Sequence, residues 1–129
     1  MRAAILKTEL QFEVPLIPPS VNHYKQPSRR GGFYRAPACL TFTDAVCVFS
    51  RKEPVDGHFY EIDVTYFLEP AEFLRFDSDN FQKVAFDALT AAGVIRDDRY
   101  IIDHHVHKRS ATSPADVHTA FLVKGRNHV

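Results

Sequence analysis

An α+β domain built on a mixed sheet is the fold class this sequence predicts, and three observations point to it. Period-two alternation marks four separate stretches, helical apolar spacing marks two others, and the two kinds interleave in the order β-α-β-α-β-β. The helices are expected mainly on one face of the sheet. The 129 residues suit a single domain and leave no room for a second of ordinary size. With 45% hydrophobic and 12% aromatic residues, the chain is too apolar for a disordered segment and can build a packed core.

The elements follow in chain order. Residues 8–16, TELQFEVPL, alternate as a first strand. The next stretch, IPPSVNHYKQPSRRGGFYRAP, carries four prolines and a glycine pair and predicts a long loop. From Cys39 to Lys52, the apolar residues Phe42, Ala45, Val46 and Phe49 fall on one helical stripe, although the β-branched residues around them weaken helix propensity. Cys39 and Cys47 would then stand two turns apart, too far for a disulfide, and are expected as buried thiols.

Residues 58–69, HFYEIDVTYFLE, alternate most clearly, with Tyr60, Ile62, Val64, Tyr66 and Leu68 on one side. Asp79 to Ala92 predicts the second helix, with Phe81, Val84, Ala85, Ala88, Leu89 and Ala92 as its apolar face. Asp77 or Ser78 is available as its N-cap, and Gly93 stops it. YIIDHHVHKRS and VHTAFLVKG read as two further strands, and the intervening SATSPAD supplies turn chemistry for an antiparallel pair. There is no internal repeat.

No run approaches the roughly 18 apolar residues a membrane-spanning helix needs. The N-terminal MRAAILKTELQF is broken by Lys7 and Glu9, unlike a signal peptide, so a cytoplasmic chain with no membrane partner is expected. Sixteen basic and sixteen acidic residues cancel, so bulk charge announces no nucleic acid, but the charges are segregated. Lys25, Arg29, Arg30 and Arg35 stand in the Pro- and Gly-rich loop with no acid among them, suited to phosphate contact. Between Glu69 and Asp103, eight acids face four bases, a local excess that calls for a cation.

Asp77 and Asp79 flank the start of the second helix, and Asp97 and Asp98 follow its end. A helix of about 14 residues is roughly 20 Å long, so flanking it does not bring the two pairs together. The chain after Gly93 must run back along the helix, and the five residues to Asp98 reach at most about 17 Å. Converging carboxylates repel, and a hard divalent ion relieves the repulsion with oxygen ligands alone, which favours Mg²⁺ or Mn²⁺ over zinc. Such an ion suits phosphodiester hydrolysis. The plainer reading makes these aspartates a helix cap and a turn. Lys83 lies one turn after Asp79 and one before Asp87, either as a salt-bridge ladder or as an ammonium serving a phosphate. Arg75 is either a phosphate contact or a solvated side chain, and Tyr24 and Tyr34 either stack on bases or anchor the loop.

Asp103-His104-His105 copies the letters of the DHH phosphoesterase motif, but adjacent histidines in a strand point to opposite faces. His105 and His107 would share a face and could bind a transition metal, though spacing indicates no third ligand.

Three segments in order, PPSVNHY from Pro18, DSDNFQKVAFDAL from Asp77 and AGVIRDD from Ala92, resemble the RusA family of Holliday junction resolvases. The combination of DxDNxxKxxxDAL with a nearby AGxxxDD is far more specific than any of its parts. The resemblance implies a RusA-like fold and a small magnesium-dependent endonuclease that binds four-way DNA junctions as a homodimer and nicks two strands symmetrically. By position it assigns metal binding to Asp77, Asp79 and Asp98 and a catalytic role to Lys83, with Asp97 and Asn80 in support. It adds Asn22 and Lys108 to the basic residues Lys25, Arg29, Arg30 and Arg75 as candidate DNA contacts, and suggests a bacterial or phage-encoded protein. The chain departs from the family pattern in its neutral balance and histidine-rich strand. The alternatives are a non-catalytic structure-specific DNA-binding protein that retains the fold, and a small metal-binding regulator using His105 and His107.

Overall fold

The computed structural model describes residues 7–19, 25–27, 33–35, 37–73 and 78–128, with backbone alone for 25–27, 33–35 and 78–80. Eight elements follow in chain order: β1 (Glu9–Val14), β2 (Lys25–Pro27), β3 (Phe33–Arg35), α1 (Pro37–Ser50), β4 (Phe59–Leu68), α2 (Ser78–Ala91), β5 (Ile101–Ser110) and β6 (His118–Arg126). The predicted class is borne out. A four-stranded mixed sheet in the order β1-β6-β4-β5 carries both helices, and β4 pairs parallel with β5 and antiparallel with β6.

Alternation in β4 places Tyr60, Ile62, Val64, Tyr66 and Leu68 in the core and leaves the intervening residues half-buried on the other face. From β1, Leu10, Phe12 and Val14 point the same way, and the Phe12 ring stacks on that of its ladder partner Phe121 with centroids 5.1 Å apart. Against this face α1 lays Cys39, Phe42 and Val46, and α2 lays Val84, Ala85, Ala88 and Leu89. α1 forms despite its β-branched residues, because burial of one face outweighs weak propensity.

Three expectations are corrected. β5 and β6 are not a hairpin pair: β4 lies between them, and the parallel β4–β5 ladder is reached by a crossover through α2. The long loop contains a short antiparallel ladder, with Lys25 opposite Arg35 and Pro27 opposite Phe33. The buried stripe of α1 is Cys39, Phe42, Val46 and Ser50, so Phe49 is exposed, and Cys47 is half-buried where a buried thiol was expected.

The segment before β4 is fitted closely to the end of β6. Gly57 adopts φ +155°, and a Cβ there would lie 2.8 Å from the Arg126 nitrogen. A Cβ on Gly125 would overlap the Asp56 carbonyl oxygen. Backbone bonds complete the junction, from Asp56 to Lys7 at 2.7 Å, from His58 to Arg126 at 2.9 Å and from Gly125 to Thr8 at 2.8 Å. No described helix is long and apolar enough to cross a membrane.

Candidate active site

The candidate site grows from the last two turns of α2 and the chain that follows. Lys83 and Asp87 sit four residues apart on one helix face, with Nζ and Oδ2 3.7 Å apart. The helix closes in a Schellman motif: Gly93 takes φ +75°, its N–H reaches the Thr90 carbonyl at 3.0 Å, and the Val94 N–H reaches Leu89 at 3.0 Å. Val94 and Ile95 are buried, and the Val55 N–H donates to the Val94 carbonyl at 2.9 Å, turning the chain back beside the helix. Asp97 then caps a 3₁₀ turn, Asp98–Tyr100, by accepting from the Arg99 N–H at 3.1 Å. The turn leads directly into β5, where a register shift opposite Tyr60 and Glu61 lets Ile102 stand out of the ladder.

The return expected after Gly93 is therefore present, and it carries Asp98 into the field of Asp87 and Lys83. The Asp98 carboxyl is held above the ordinary range, first by its hydrogen bond with Asp97, then by partial burial and the negative charges of Asp97 and Asp87. The Lys83 ammonium pulls it the other way. Asp97 is held low by the Arg99 N–H, by its bond with Asp98 and by the Arg99 charge. Asp98 and Lys83 are exposed, so this anionic cluster lies on open surface. Oxygen donors that raise one another's proton affinity suit a hard divalent cation, which relieves the same repulsion.

Among the sequence-predicted residues, the structure sets Asp98 in the electrostatic field of Lys83. Asp79 stands on the first turn of α2, one turn before Lys83, with only its backbone described, as for Asn80. Asp77, Asn22, Arg29, Arg30 and Arg75 lie outside the described residues, as does Tyr24, and Lys25 is described by its backbone in β2. Lys108 donates to the Phe73 carbonyl at 3.0 Å and lies 5.1 Å from the centroid of that ring. Two residues gain a place that sequence reasoning did not give them. Asp87, read there only as a rung of a ladder, adds its negative charge to the field at Asp98, and Arg96 anchors the turn. The i+4 and i+8 spacing from Asp79 was the available signal for Asp87.

The histidines of β5 divide between the two faces as alternation requires. His104 meets the edge of the Phe86 ring at 5.5 Å on the helix side. His105 lies 3.4 Å from Asp103, and His107 lies 3.9 Å from Asp63. Among the described residues, no three His, Cys, Asp or Glu side chains come together to hold a metal ion.

Comparison with known proteins matches the same region. A family model described as Endodeoxyribonuclease RusA covers residues 51–118. The chain is similar to the crossover junction endodeoxyribonuclease RusA of Escherichia coli strain K12, with 32% identity over 96 residues, 74% of this chain and 79% of the relative. The protein of that name from Shigella sonnei matches to the same extent. The crossover junction endodeoxyribonuclease of Enterobacteria phage 82 is 31% identical over the same shares of both chains. The motif order, the β4-α2-turn-β5 frame that carries it and these matches agree: the chain belongs to the RusA family of endodeoxyribonucleases.

Proposed function

We propose that this chain is a divalent-metal-dependent, structure-specific endodeoxyribonuclease that cuts four-way DNA junctions by paired symmetric nicks, one 129-residue domain acting as a homodimer. The observation that carries the reading is that the chain returning after α2 sets Asp98 in the field of the Lys83–Asp87 pair, in a member of this family. An exposed cluster suits a polymeric substrate, whose phosphates reach open surface where a small molecule would need a cavity.

Asp77, Asp79 and Asp98 would hold Mg²⁺, with Mn²⁺ as an alternative. When bound, such an ion polarises a phosphoryl oxygen and lowers the pKa of water. Lys83, whose side chain is more than half exposed, stabilises negative charge developing on the phosphate. Asp97, fixed by the Arg99 N–H, sets the backbone from which Asp98 projects. Asn22, Lys25, Arg29, Arg30, Arg75 and Lys108 contact the DNA, chiefly at phosphates, so that junction shape is read through the backbone. A two-fold dimer meets a two-fold substrate, and each protomer cuts one strand. The setting is the cytoplasm of a bacterium, with the gene of bacterial or phage origin.

The test is a synthetic mobile junction and a matched linear duplex, incubated with Mg²⁺ or EDTA and mapped on four labelled strands. Paired nicks that require metal, spare the duplex and can be sealed by ligase are expected. Asp79→Asn should abolish cutting and spare junction binding. Tight junction binding without cleavage in Mg²⁺ or Mn²⁺ would instead assign the chain to non-catalytic DNA-binding proteins of this fold.

A further inference from the structure

Arg96 immediately precedes the acidic turn, and its contacts exceed what an exposed turn requires. Its Nε donates to the Tyr60 hydroxyl at 3.1 Å, and its backbone N–H donates to the same oxygen at 3.2 Å. One terminal nitrogen bridges the Gly57 and His58 carbonyls at 3.0 and 2.6 Å. The guanidinium lies 4.3 Å from the Tyr100 ring centroid on the far side of Asp97 and Asp98. Tyr60 is buried in β4, and Gly57 and His58 belong to the segment wedged against Gly125 and Arg126. One side chain thus ties both ends of the turn to the most tightly fitted corner of the sheet.

We propose that Arg96 is a positioning residue that fixes the Asp97–Asp98 turn at the height of Asp87 and Lys83, and so sets metal affinity without touching metal or DNA. The inference rests on the metal-dependent reading given above. Three of the five guanidinium N–H groups face protein oxygens, bridging the turn to Tyr60 of β4 and to the two carbonyls just before that strand. A lysine could satisfy one of these acceptors but could not span Tyr60 and the two carbonyls together. Loss of the side-chain bridge would leave the turn held by the Val94 carbonyl before it, the backbone N–H of residue 96 on Tyr60 and the start of β5 after it, and outer contacts of this kind hold ligands in register.

The experiment compares wild type with Arg96→Met, Arg96→Lys and Tyr60→Phe as full chains. It measures Mn²⁺ affinity by electron paramagnetic resonance, the Mg²⁺ concentration for half-maximal junction cleavage, and junction binding in EDTA. Arg96→Met should weaken Mn²⁺ binding and raise the Mg²⁺ requirement by roughly tenfold or more, with cleavage restored at high Mg²⁺ and EDTA binding unchanged. Arg96→Lys should recover only part of the loss. Should Arg96→Met not fold, Tyr60→Phe carries the test, because it keeps the buried ring and removes only the shared acceptor.

Unaltered Mn²⁺ affinity in folded variants would overturn the positioning role, as would a loss of junction binding in EDTA, which would make Arg96 a phosphate contact. A wild-type chain that neither binds Mn²⁺ nor cleaves would overturn the metal-dependent reading itself.

Discussion

Replacing Lys83 by methionine separates a structural ladder from a working ammonium. At 3.7 Å from Asp87, the pair is worth about 1 kcal/mol in bulk-water screening. The lysine side chain is 55% exposed, and salt and side-chain entropy reduce that to roughly 0.3–0.5 kcal/mol for an i,i+4 pair. Methionine keeps helix propensity, so Lys83→Met should fold and melt within a few degrees of wild type. An ammonium that stabilises developing phosphate charge is worth far more, and its loss should slow junction cleavage by about 100- to 1,000-fold. Single-turnover cleavage with saturating enzyme reads this directly, because substrate binding no longer limits the rate. Cleavage within roughly threefold of wild type, in a protein of unchanged stability, would refute the catalytic role and leave Lys83 a surface ion pair.

Three other outcomes are expected. Gly125→Ala forces a methyl into the Asp56 carbonyl, and such overpacking against backbone should cost about 1–3 kcal/mol in urea unfolding; an unmoved midpoint would contradict the close fit. Asp116 accepts from the Thr112 N–H and hydroxyl, which hold its carboxyl below the ordinary range. Its contribution is therefore full above the unfolded value of roughly 3.9 and is lost as pH falls through the depressed folded value, so Asp116→Asn should flatten the acid limb of stability and leave neutral-pH cleavage unchanged. Junction affinity should fall steeply with salt, and removing Arg29 and Arg30 together should reduce the log–log slope by about 2, as measured by fluorescence anisotropy; an unchanged slope would remove the loop from the interface.

What could be read before folding was what short-range physics controls. Tyr60 to Leu68 alternates because one face of β4 is buried from end to end, and Gly93 stops α2 because a left-handed residue is needed there. Strand neighbours are a long-range matter. SATSPAD reads as a hairpin turn, yet β6 pairs with β4 and leaves β5 on the far side, a choice local turn chemistry does not make. The ladder between Lys25 and Arg35 escaped because three-residue strands show no usable alternation, and Pro27 argues against a strand. In the site, Asp98 and Lys83 carry motif letters. Asp87 acquires meaning only when the chain doubles back, and Arg96 only through tyrosine and carbonyl partners nearly forty residues earlier.

The pairing of β1 with β6 has a consequence for how the protein is made. Leu10, Phe12 and Val14 are translated more than a hundred residues before their ladder partners Val123, Phe121 and Thr119. At roughly 5–20 residues per second, the nascent chain spends several seconds or more with that apolar edge uncovered. β6 also supplies the antiparallel neighbour of β4, so its arrival completes the sheet on both sides at once. Folding of the sheet should therefore close cooperatively, with the emergence of β6 as its trigger.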